Sequence, residues 1–411
     1  MAKQGKTTVV PRLRFPEFRQ ADAWKFGALA DVAEFVNEKI SLSNISREEY
    51  VSTENLLADY GGVAASSKLP AVGSVTRYRV GDVLVSNIRP YLKKVWHANR
   101  DGGASNDVIV ARAKGAISSA FFASVLKSDS FVAYVMLGAK GVKMPRGDVD
   151  SMRQYPIGHP SAIEQQKITD CLTSLDEVIA AQGRKVEALK TYKRSLMQQL
   201  FPREGETFPQ LRFPEFRNCA AWTLRKVGDL LRDVSRPINM DDDDEYSLVT
   251  VRRRYGGVVS RERLKGRAIK VKTQFVVRAG DFLISKRQIV HNACGIVPPT
   301  LDGSIVSNEY SVLGPKSGCD IEFFNYFSQQ PAVTVSFLNS SVGIVIEKML
   351  FKLDTWLRHE FLFPSIDEQR SISSCLASVE SDIAAESEKL QRLVGHQTGL
   401  MQQLLPSAKD V

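Results

Sequence analysis

The sequence predicts an α+β protein made of two similar halves. Each half is expected to hold a compact α+β domain followed by a long helix. The two long helices are expected to pair as a coiled coil, which gives the chain a pseudo-twofold internal repeat. Three observations predict this arrangement. Short motifs recur about 200 residues apart, β-type runs punctuated by glycine and proline fill the first part of each half, and each half ends in a long segment with apolar residues at 3.5-residue spacing.

The internal repeat is carried by four motifs that occur in the same order in both halves. Each copy is about 200 residues long, far longer than the units of solenoid proteins. Each is also large enough to be a domain with its own core. Trp24 recurs in the same way as Trp222. The motifs are PRLRFPEF at 11–18 and PQLRFPEF at 209–216, GDVLVS at 81–86 and GDFLIS at 280–285, PSAIEQQKI at 160–168 and PSIDEQRSI at 364–372, and MQQLFP at 197–202 and MQQLLP at 401–406.

These repeats predict the boundaries of the domains and of the elements inside them. The predicted order is a domain at 1–160, a long helix at 161–203, a second domain at 204–363, and a second long helix with a C-terminal tail at 364–411. Buried strands are expected where short apolar runs are bounded by turn residues. The expected strands are 82–86, 108–111, 281–285 and 343–346, and the expected short helices are 121–126 and 323–327.

Each long helix carries a seam of residues separated alternately by four and three positions, which is the spacing of a coiled coil. Pro202 and Pro406 are expected to end the helices. About 33 residues at roughly 1.5 Å each make a rod near 50 Å long, which predicts a spacer. The predicted interface comprises Ile168, Leu172, Leu175, Ile179, Val186, Leu189, Leu196 and Leu200 in the first helix, and Ile372, Leu376, Val379, Ile383, Leu390, Leu393, Leu400 and Leu404 in the second.

The polar positions of the two seams also coincide, Gln182 with Glu386 and Lys193 with Gln397. A parallel helix pair would match these polar positions with one another, whereas an antiparallel pair is expected to place them opposite leucines and valines. The spacing is compatible with both directions. The alternative is that each seam packs only on its own domain, in which case the helices would not pair.

The composition indicates a folded protein with an anionic partner. The 411 residues have a formal net charge of +9, a pI of about 9.2 and a hydrophobic fraction of 43%, which is ordinary for a globular protein. No apolar run reaches the roughly 18–20 residues of a membrane span, and the first residues lack the apolar stretch of a secretion signal. The five cysteines are widely spaced and form no CxxC pair. We therefore expect a reduced, cytoplasmic protein without membrane association.

Sequence motifs of catalysis are missing. The sequence contains no GxxxxGK[ST] or GxGxxG phosphate loop, no HExxH zinc motif and no GxSxG nucleophile elbow. The five histidines are isolated. The acidic run at 241–245 has consecutive carboxylates that cannot all converge on one ion, so a solvated loop is the better interpretation. We predict no catalytic residue, no metal site and no cofactor bound by this chain.

Basic side chains concentrate in loops that follow matching strands, where contacts with phosphates or bases are expected. Residues 252–272 contain nine cations and one acid, Glu262. The loops after GDVLVS and GDFLIS diverge between the halves, as expected for a common scaffold with two different binding surfaces. The alternative is a solvated charged face. The predicted DNA-binding residues are Arg89, Tyr91, Lys93, Lys94, Lys140, Lys143, Arg146, Arg252, Arg253, Arg254, Tyr255, Arg261, Arg263, Lys265, Arg267, Lys286 and Arg287.

These features together resemble the specificity subunit of type I restriction-modification systems. The likeness rests on the Gly-Asp strand motif, on the Pro-x-x-x-Glu-Gln-x-x-Ile helix starts at Pro160 and Pro364, and on the paired leucine-rich helices, and it covers nearly the whole chain. The resemblance implies two target-recognition domains, each reading one half of a split, asymmetric site in double-stranded DNA. It also implies that the long helices pair antiparallel.

The resemblance further implies partners that supply the chemistry. One specificity subunit would hold two modification subunits and, for cleavage, restriction subunits. Adenine methylation from S-adenosylmethionine and cleavage driven by ATP with Mg²⁺ would belong to those partners, so this chain would be a non-catalytic recognition subunit. A stand-alone enzyme would need clustered carboxylates or a cofactor loop, which the sequence lacks. The remaining alternative is a structural scaffold of a multi-subunit complex that does not read DNA.

Overall fold

The computed structural model describes residues 8–70 and 72–406. These residues fall into two compact units. Unit 1 contains the described residues up to Arg184 and from Glu386 onward, and unit 2 contains residues 185–385. Each unit holds one α+β domain and part of each long helix, so the predicted α+β fold with two long helices is confirmed. Segment 1–7, where no secretion signal is expected, and residues 407–411, the last part of the predicted helix and tail at 364–411, lie outside the described residues.

In the described part of unit 1, short strands form three sheets that are antiparallel except where Tyr50–Val51 pairs with Gly102–Ala104. In order of neighbouring strands, the sheets are Thr8–Val9, Trp24–Ala28 and Pro156–His159; Ala33–Phe35, Val108–Ala113, Val83–Ser86 and Val95–His97; and Lys39–Ser41, Ser74–Tyr78, Gly102–Ala104 and Tyr50–Val51. The shorter α-helices are Leu29–Val32, Ser119–Leu126, Asp129–Leu137 and Val149–Arg153, and 3-10 turns lie at Pro16–Phe18, Leu42–Asn44 and Pro90–Leu92.

In the described part of unit 2, four sheets form, again antiparallel except where Glu245–Val251 pairs with Ile305–Ser307. The sheets are Thr223–Lys226 and Glu360–Phe363; Leu231–Asp233, Tyr310–Pro315, Phe282–Ser285 and Cys294–Ile296; Pro237–Ile238, Gln274–Val276, Ile305–Ser307, Glu245–Val251 and Val258–Lys265; and Ser341–Val342 and Leu350–Phe351. The shorter α-helices are Val227–Leu230, Ile321–Phe327, Pro331–Asn339 and Leu353–Trp356, and 3-10 turns lie at Pro214–Phe216, Gly266–Ala268, Ile289–His291, Pro299–Leu301 and Ile346–Lys348.

Most of the short elements expected from the sequence are confirmed. Strands cover Val83–Ser86, Val108–Ala113 and Phe282–Ser285, and the expected helices lie within Ser119–Leu126 and Ile321–Phe327. These helices start where they do because Ser118 and Asp320 accept hydrogen bonds from backbone N–H groups of the first turn.

The strand expected at 343–346 is wrong. That segment is the exposed tip of a hairpin formed by Ser341–Val342 and Leu350–Phe351. Gly343 has a φ of 152°, and the side chain of Ile344 is fully exposed. The apolar composition of the run suggested a buried strand. The tip makes no sheet pairing among the described residues, so its apolar side chains face solvent.

The long helices span Ala162–Gln199 and Ile366–Leu404, and both end before the predicted prolines. Within each unit they run antiparallel. In unit 1, Ile168 near the start of the first helix shares a hydrophobic core with Leu404 at the end of the second. In unit 2, Leu200 at the end of the first helix shares a hydrophobic core with Ile372 near the start of the second. All sixteen predicted interface residues are buried or half-buried, and those near the helix ends also belong to the domain cores.

The polar seam positions have charged or polar partners on the opposite helix, contrary to the expectation that an antiparallel pair would face them with leucines and valines. In unit 1, Gln182 donates to the Glu386 carboxylate at 2.6 Å, and Gln397 donates to Asp176 at 2.7 Å. In unit 2, Lys193 forms an ion pair with Glu380. The expectation failed because Gln182 and Glu386 each lie near the middle of their helix, where antiparallel pairing also matches them.

The repeated motifs tie each domain to a long helix through a buried ion pair. In unit 1, the Arg14 guanidinium donates from Nε and Nη2 to the two oxygens of Glu164, each at 2.7 Å. The side chains are only 8% and 1% exposed, and Trp24 Nε1 donates to the same carboxylate at 3.2 Å. The carboxylate raises the pKa of Arg14. In unit 2, the same contacts join Arg212, Trp222 and Glu368.

The glutamine that follows each of these glutamates joins loop backbone to the helix start. Gln165 Nε2 donates to the carbonyls of Ala116 and Pro160 at 2.8 and 3.0 Å, and its Oε1 accepts the N–H of Ser118 at 2.8 Å. In unit 2, Gln369 makes the equivalent bonds with Gly318, Pro364 and Asp320. The Glu-Gln pair of the repeat therefore has a structural role, because both of its buried side chains are fully engaged.

Candidate nucleic-acid interface

Each domain presents a six-residue turn with the same backbone and a different sequence. The turns are LADYGG at 57–62 in unit 1 and RRRYGG at 252–257 in unit 2. Each is closed by a hydrogen bond between its first and last residues, from Leu57 N to Gly62 O at 2.9 Å and from Arg252 N to Gly257 O at 3.0 Å. We name these segments turn 1 and turn 2.

Both turns place two successive non-glycine residues in the left-handed region, which is uncommon and costs free energy. The φ values are 51° and 60° for Asp59 and Tyr60, and 57° and 56° for Arg254 and Tyr255. Backbone bonds to a neighbouring loop hold both pairs. Asp59 N and Tyr60 N donate to Leu92 O and Lys93 O, each at 3.0 Å, and the unit 2 pair donates to His291 O and Asn292 O at 2.8 and 2.9 Å.

The tyrosine of each turn is an anchor. Tyr255 packs against the core of unit 2, and its hydroxyl donates to Ser328 O at 3.2 Å and bonds the Thr334 hydroxyl. Burial raises the pKa of Tyr255 to about 12 and also raises the pKa of Tyr60, which packs on the core of unit 1. The Tyr255 hydroxyl is therefore engaged inside the domain, and the contact of Tyr255 with DNA stays a prediction.

Two further segments accompany each turn: a loop that accepts hydrogen bonds from the turn, and a hairpin that is joined to this loop. One is the loop after the Gly-Asp strand, at 87–94 or 286–293. The other is a hairpin, at 138–147 or 341–351. Loop and hairpin are joined by a bond from Gly147 N to Asn87 O at 3.0 Å in unit 1, and from Phe351 N to Lys286 O at 2.9 Å in unit 2. We call the three segments of each unit corner 1 and corner 2. Each corner thus brings together residues that lie up to about 100 positions apart in the sequence.

Corner 1 gathers all the DNA-binding residues predicted for the first half. Arg89 and Lys143 are exposed and form no ion pair among the described residues, and Tyr91 is 49% exposed. The other cations of corner 1 are engaged. Lys93, Lys140 and Arg146 form ion pairs with Asp129, Asp148 and Asp107 at 2.6, 3.1 and 2.8 Å, and Lys94 donates to Thr53 O at 2.6 Å.

Corner 2 combines free and engaged cations in the same way. Arg252 and Arg254 are exposed, and within the described chain neither has an ion-pair partner. Arg253 donates to Gln288 at 2.8 Å and pairs with Glu347 at 3.2 Å. In the adjoining loop, Lys286 donates to Asn308 O at 2.8 Å and Arg287 pairs with Glu309 at 2.6 Å. Both unpaired arginines therefore lie within turn 2.

The rest of the predicted basic stretch is largely neutralised. The strands Glu245–Val251 and Val258–Lys265 pair so that residue 245 lies opposite residue 265, and this brings the acidic run beside the cations. Lys265 is exposed, and the described residues include no ion-pair partner for it. The ion pairs are Arg261–Glu262, Arg263–Glu245, Arg267–Asp243 and Lys272–Asp242, at 3.1, 3.2, 3.3 and 2.6 Å. The solvated acidic loop thus lowers the local positive charge that the sequence window suggested.

No group of three or more potential metal ligands is found among residues 8–70 and 72–406. Over the same residues, no single helix has both the length and the apolar composition to cross a membrane. The bent pair Ser119–Leu126 and Asp129–Leu137 meets that test only when its two helices are counted together.

Comparison with known proteins identifies the fold. No family model matches the chain, and no curated protein matches it at a significant level. The S subunit of a type I restriction-modification system from M. genitalium is 13% identical, with 97% of this chain and 99% of that chain covered and a TM-score of 0.58. A chain from a structure on complex assembly and conformational transition of a type I restriction-modification system is 16% identical, with coverages of 93% and 97% and a TM-score of 0.56. The resemblance seen in the motifs is confirmed at the level of the fold.

Proposed function

We propose that this chain is the DNA-recognition subunit of a type I restriction-modification complex and that it is not itself an enzyme. The observation that carries the proposal is the pair of turns. Two domains present the same strained backbone with different exposed side chains, LAD in one and RRR in the other. Two turns with the same backbone and different side chains suit a protein that reads two different parts of one split, asymmetric DNA site.

The chemistry of the corners supports duplex DNA as the ligand. Arg89, Lys143, Arg252 and Arg254 are exposed cations without ion-pair partners in the described chain, and such groups neutralise phosphates and release counterions. An arginine can also donate two hydrogen bonds to the edge of a guanine in the major groove. The cations that are ion-paired at the surface remain available to phosphates, because an exposed salt bridge contributes only about 0–1 kcal/mol.

We also propose that the long helices set the spacing of the two half-sites and dock two modification subunits, to which restriction subunits are added for cleavage. Helices of 38 and 39 residues are about 57 Å long at 1.5 Å per residue. Their polar seam contacts, such as Gln182 with Glu386, fix one register, because a shift would leave these groups without partners. In this proposal the partners bind S-adenosylmethionine, ATP and Mg²⁺, and the complex acts in the cytoplasm.

Selection from random DNA tests the proposal. The full chain is co-expressed and co-purified with its modification subunits, and duplexes with a randomised stretch of about 30 base pairs are selected for binding and sequenced. The expected result is a two-part sequence with an unread gap of constant length. A scaffold that does not read DNA would give an intact complex that enriches no sequence, and that result would overturn the proposal.

A further inference from the structure

The strongest clue to specificity is the chemical contrast at one equivalent position of the two turns. Asp59 in turn 1 and Arg254 in turn 2 both precede the anchoring tyrosine and have nearly the same φ. The N–H of each bonds the equivalent carbonyl of the neighbouring loop. Each turn also has the same inner bond, from Gly61 N to Ala58 O in one and from Gly256 N to Arg253 O in the other. The two turns therefore present an acidic side chain, Asp59, and a basic side chain, Arg254, from the same backbone conformation.

Neither of these two side chains interacts with other described side chains of its own domain through an ion pair or hydrogen bond. Both residues are exposed, and in the described residues neither side chain forms an ion pair or a hydrogen bond. The strained backbone is not explained by packing of these two side chains. Strained residues that the surrounding structure holds in place are concentrated at binding sites. The position is thus built to present a side chain outward.

A carboxylate at this position excludes one kind of contact and favours another. Asp59 would be repelled by DNA phosphates, so it cannot be a backbone contact of the kind that lysine and arginine make. A carboxylate does accept a hydrogen bond from the exposed amino group of cytosine in the major groove, whereas an arginine donates to O6 and N7 of guanine. Arg89 and Lys143 in corner 1 remain as cations that can hold the phosphates while Asp59 faces a base.

We infer that position 59/254 determines specificity in both half-sites. Arg254 reads a guanine in the half-site of unit 2, and Asp59 reads a cytosine through its amino group in the half-site of unit 1. This inference rests on the proposed function. It goes further by naming one residue in each domain and the base that each residue prefers.

Exchange of the two residues tests the inference. Aspartate and asparagine tolerate the left-handed region, so Arg254→Asp and Arg254→Asn should keep the fold of turn 2. The reverse change, Asp59→Arg, copies a residue that unit 2 already holds in that conformation. The matched control is Arg261→Asp, which makes the same change in net charge within the same hairpin but at an ion-paired residue.

The readout is the methylated motif in cells that carry the complete system, with binding of the purified complex to duplexes varied at one base pair. Arg254→Asp should remove the guanine preference at one position of one half-site, with a loss of about 10- to 100-fold in discrimination, and should leave the other half-site and the gap unchanged. Asp59→Arg should change a cytosine position in the other half-site only. Arg261→Asp should weaken binding without changing any letter.

Other results separate this inference from the proposed function. If Arg254→Asp and Asp59→Arg lower the affinity equally for every base, or leave the motif unchanged, position 59/254 does not read a base, although the wild-type complex still selects a two-part site. If the wild-type complex selects no sequence, the proposed function itself fails. Should Arg254→Asp fail to assemble, Arg254→Asn gives the same test, because it also removes the guanidinium donors and introduces no negative charge.

Discussion

Removal of the Arg14 side chain should destabilise the protein far more than removal of a charged neighbour in the same motif. Arg14→Ala leaves the Glu164 carboxylate, which is 1% exposed, with the Trp24 indole as its remaining side-chain donor among the described residues. The backbone carbonyls of Ala21 and Asp22 also lose the bonds that Arg14 donates to them at 2.8 and 2.9 Å. The cost should therefore include an unpaired buried charge.

The size of the expected loss of stability follows from the burial of the ion pair between Arg14 and Glu164. Breaking a buried ion pair by removing one partner costs about 3–5 kcal/mol. A unit of roughly 150–250 residues loses about 2–4 °C of melting temperature per kcal/mol, so Arg14→Ala should lower the melting temperature by about 6–20 °C. The control is Glu17→Ala. Glu17 pairs with Lys167 at 3.2 Å, and because both side chains are about half exposed this pair contributes little to stability.

The assay is thermal unfolding of the full chain, followed by circular dichroism and calorimetry at one protein concentration. The expected order of melting temperature is wild type, then Glu17→Ala slightly lower, then Arg14→Ala much lower. Arg212→Ala should reproduce the large effect in unit 2, because its pair with Glu368 has the same burial and distances that agree within 0.1 Å. Equal melting temperatures for Arg14→Ala and Glu17→Ala would refute the view that this motif holds the domain to its helix.

Four further predictions concern the DNA, the seam, the spacing and the chain order. Replacing Arg252, Arg253 and Arg254 by alanine should weaken the salt dependence of DNA binding. The slope of the log binding constant against log salt concentration should become shallower by about 0.9 for each phosphate that the variant no longer neutralises. Unchanged affinity and slope in an anisotropy titration would show that this turn is a solvated surface. Val186→Asp, at a seam position that is 4% exposed, should lower thermal stability and the yield of the complex, whereas the free energy of unfolding of Ala188→Asp, on the exposed face, should stay within about 0.5 kcal/mol of wild type. Equal stability and yield for the two variants would argue against the helix pair. Inserting four residues after Thr191 adds about one helical turn and should lengthen the gap of the methylated motif by about one or two base pairs while keeping both half-sites; altered half-site letters with an unchanged gap would show that the helices are not the spacer. A circular permutant opened near residue 205 should fold and keep the motif, since Leu13 N already donates to Gln403 O at 3.0 Å; loss of folding in that permutant, as judged by circular dichroism, would contradict the close approach of these two segments.

The sequence was most informative where one residue type has one structural meaning. The 4–3 spacing and the prolines predicted both long helices, because a coiled-coil seam and a helix stop are local properties of the chain. The Arg–Glu contact was not predicted, since nothing local relates Arg14 to Glu164. The repeat did mark both residues, and it marked Arg212 and Glu368 at the corresponding positions.

The candidate site could be predicted only in part. The basic loops after the Gly-Asp strands were found, but the charge of 258–272 was overestimated because strand register decides which acids lie opposite. The turns were missed as a repeated element. The signal was present as Tyr-Gly-Gly-Val at 60–63 and 255–258, but its distance from the other motifs differs between the halves, and its left-handed backbone depends on a loop distant in sequence.

We expect this chain to decide which DNA sequence is methylated, and a comparison of cells with and without it checks this expectation. Cells with and without the gene, both carrying the partner modification subunits, are compared by genome-wide mapping of methylated adenine. A two-part motif with a fixed unread gap should be methylated when the chain is present and unmethylated when it is absent. Identical methylation in both cell lines would contradict this expectation.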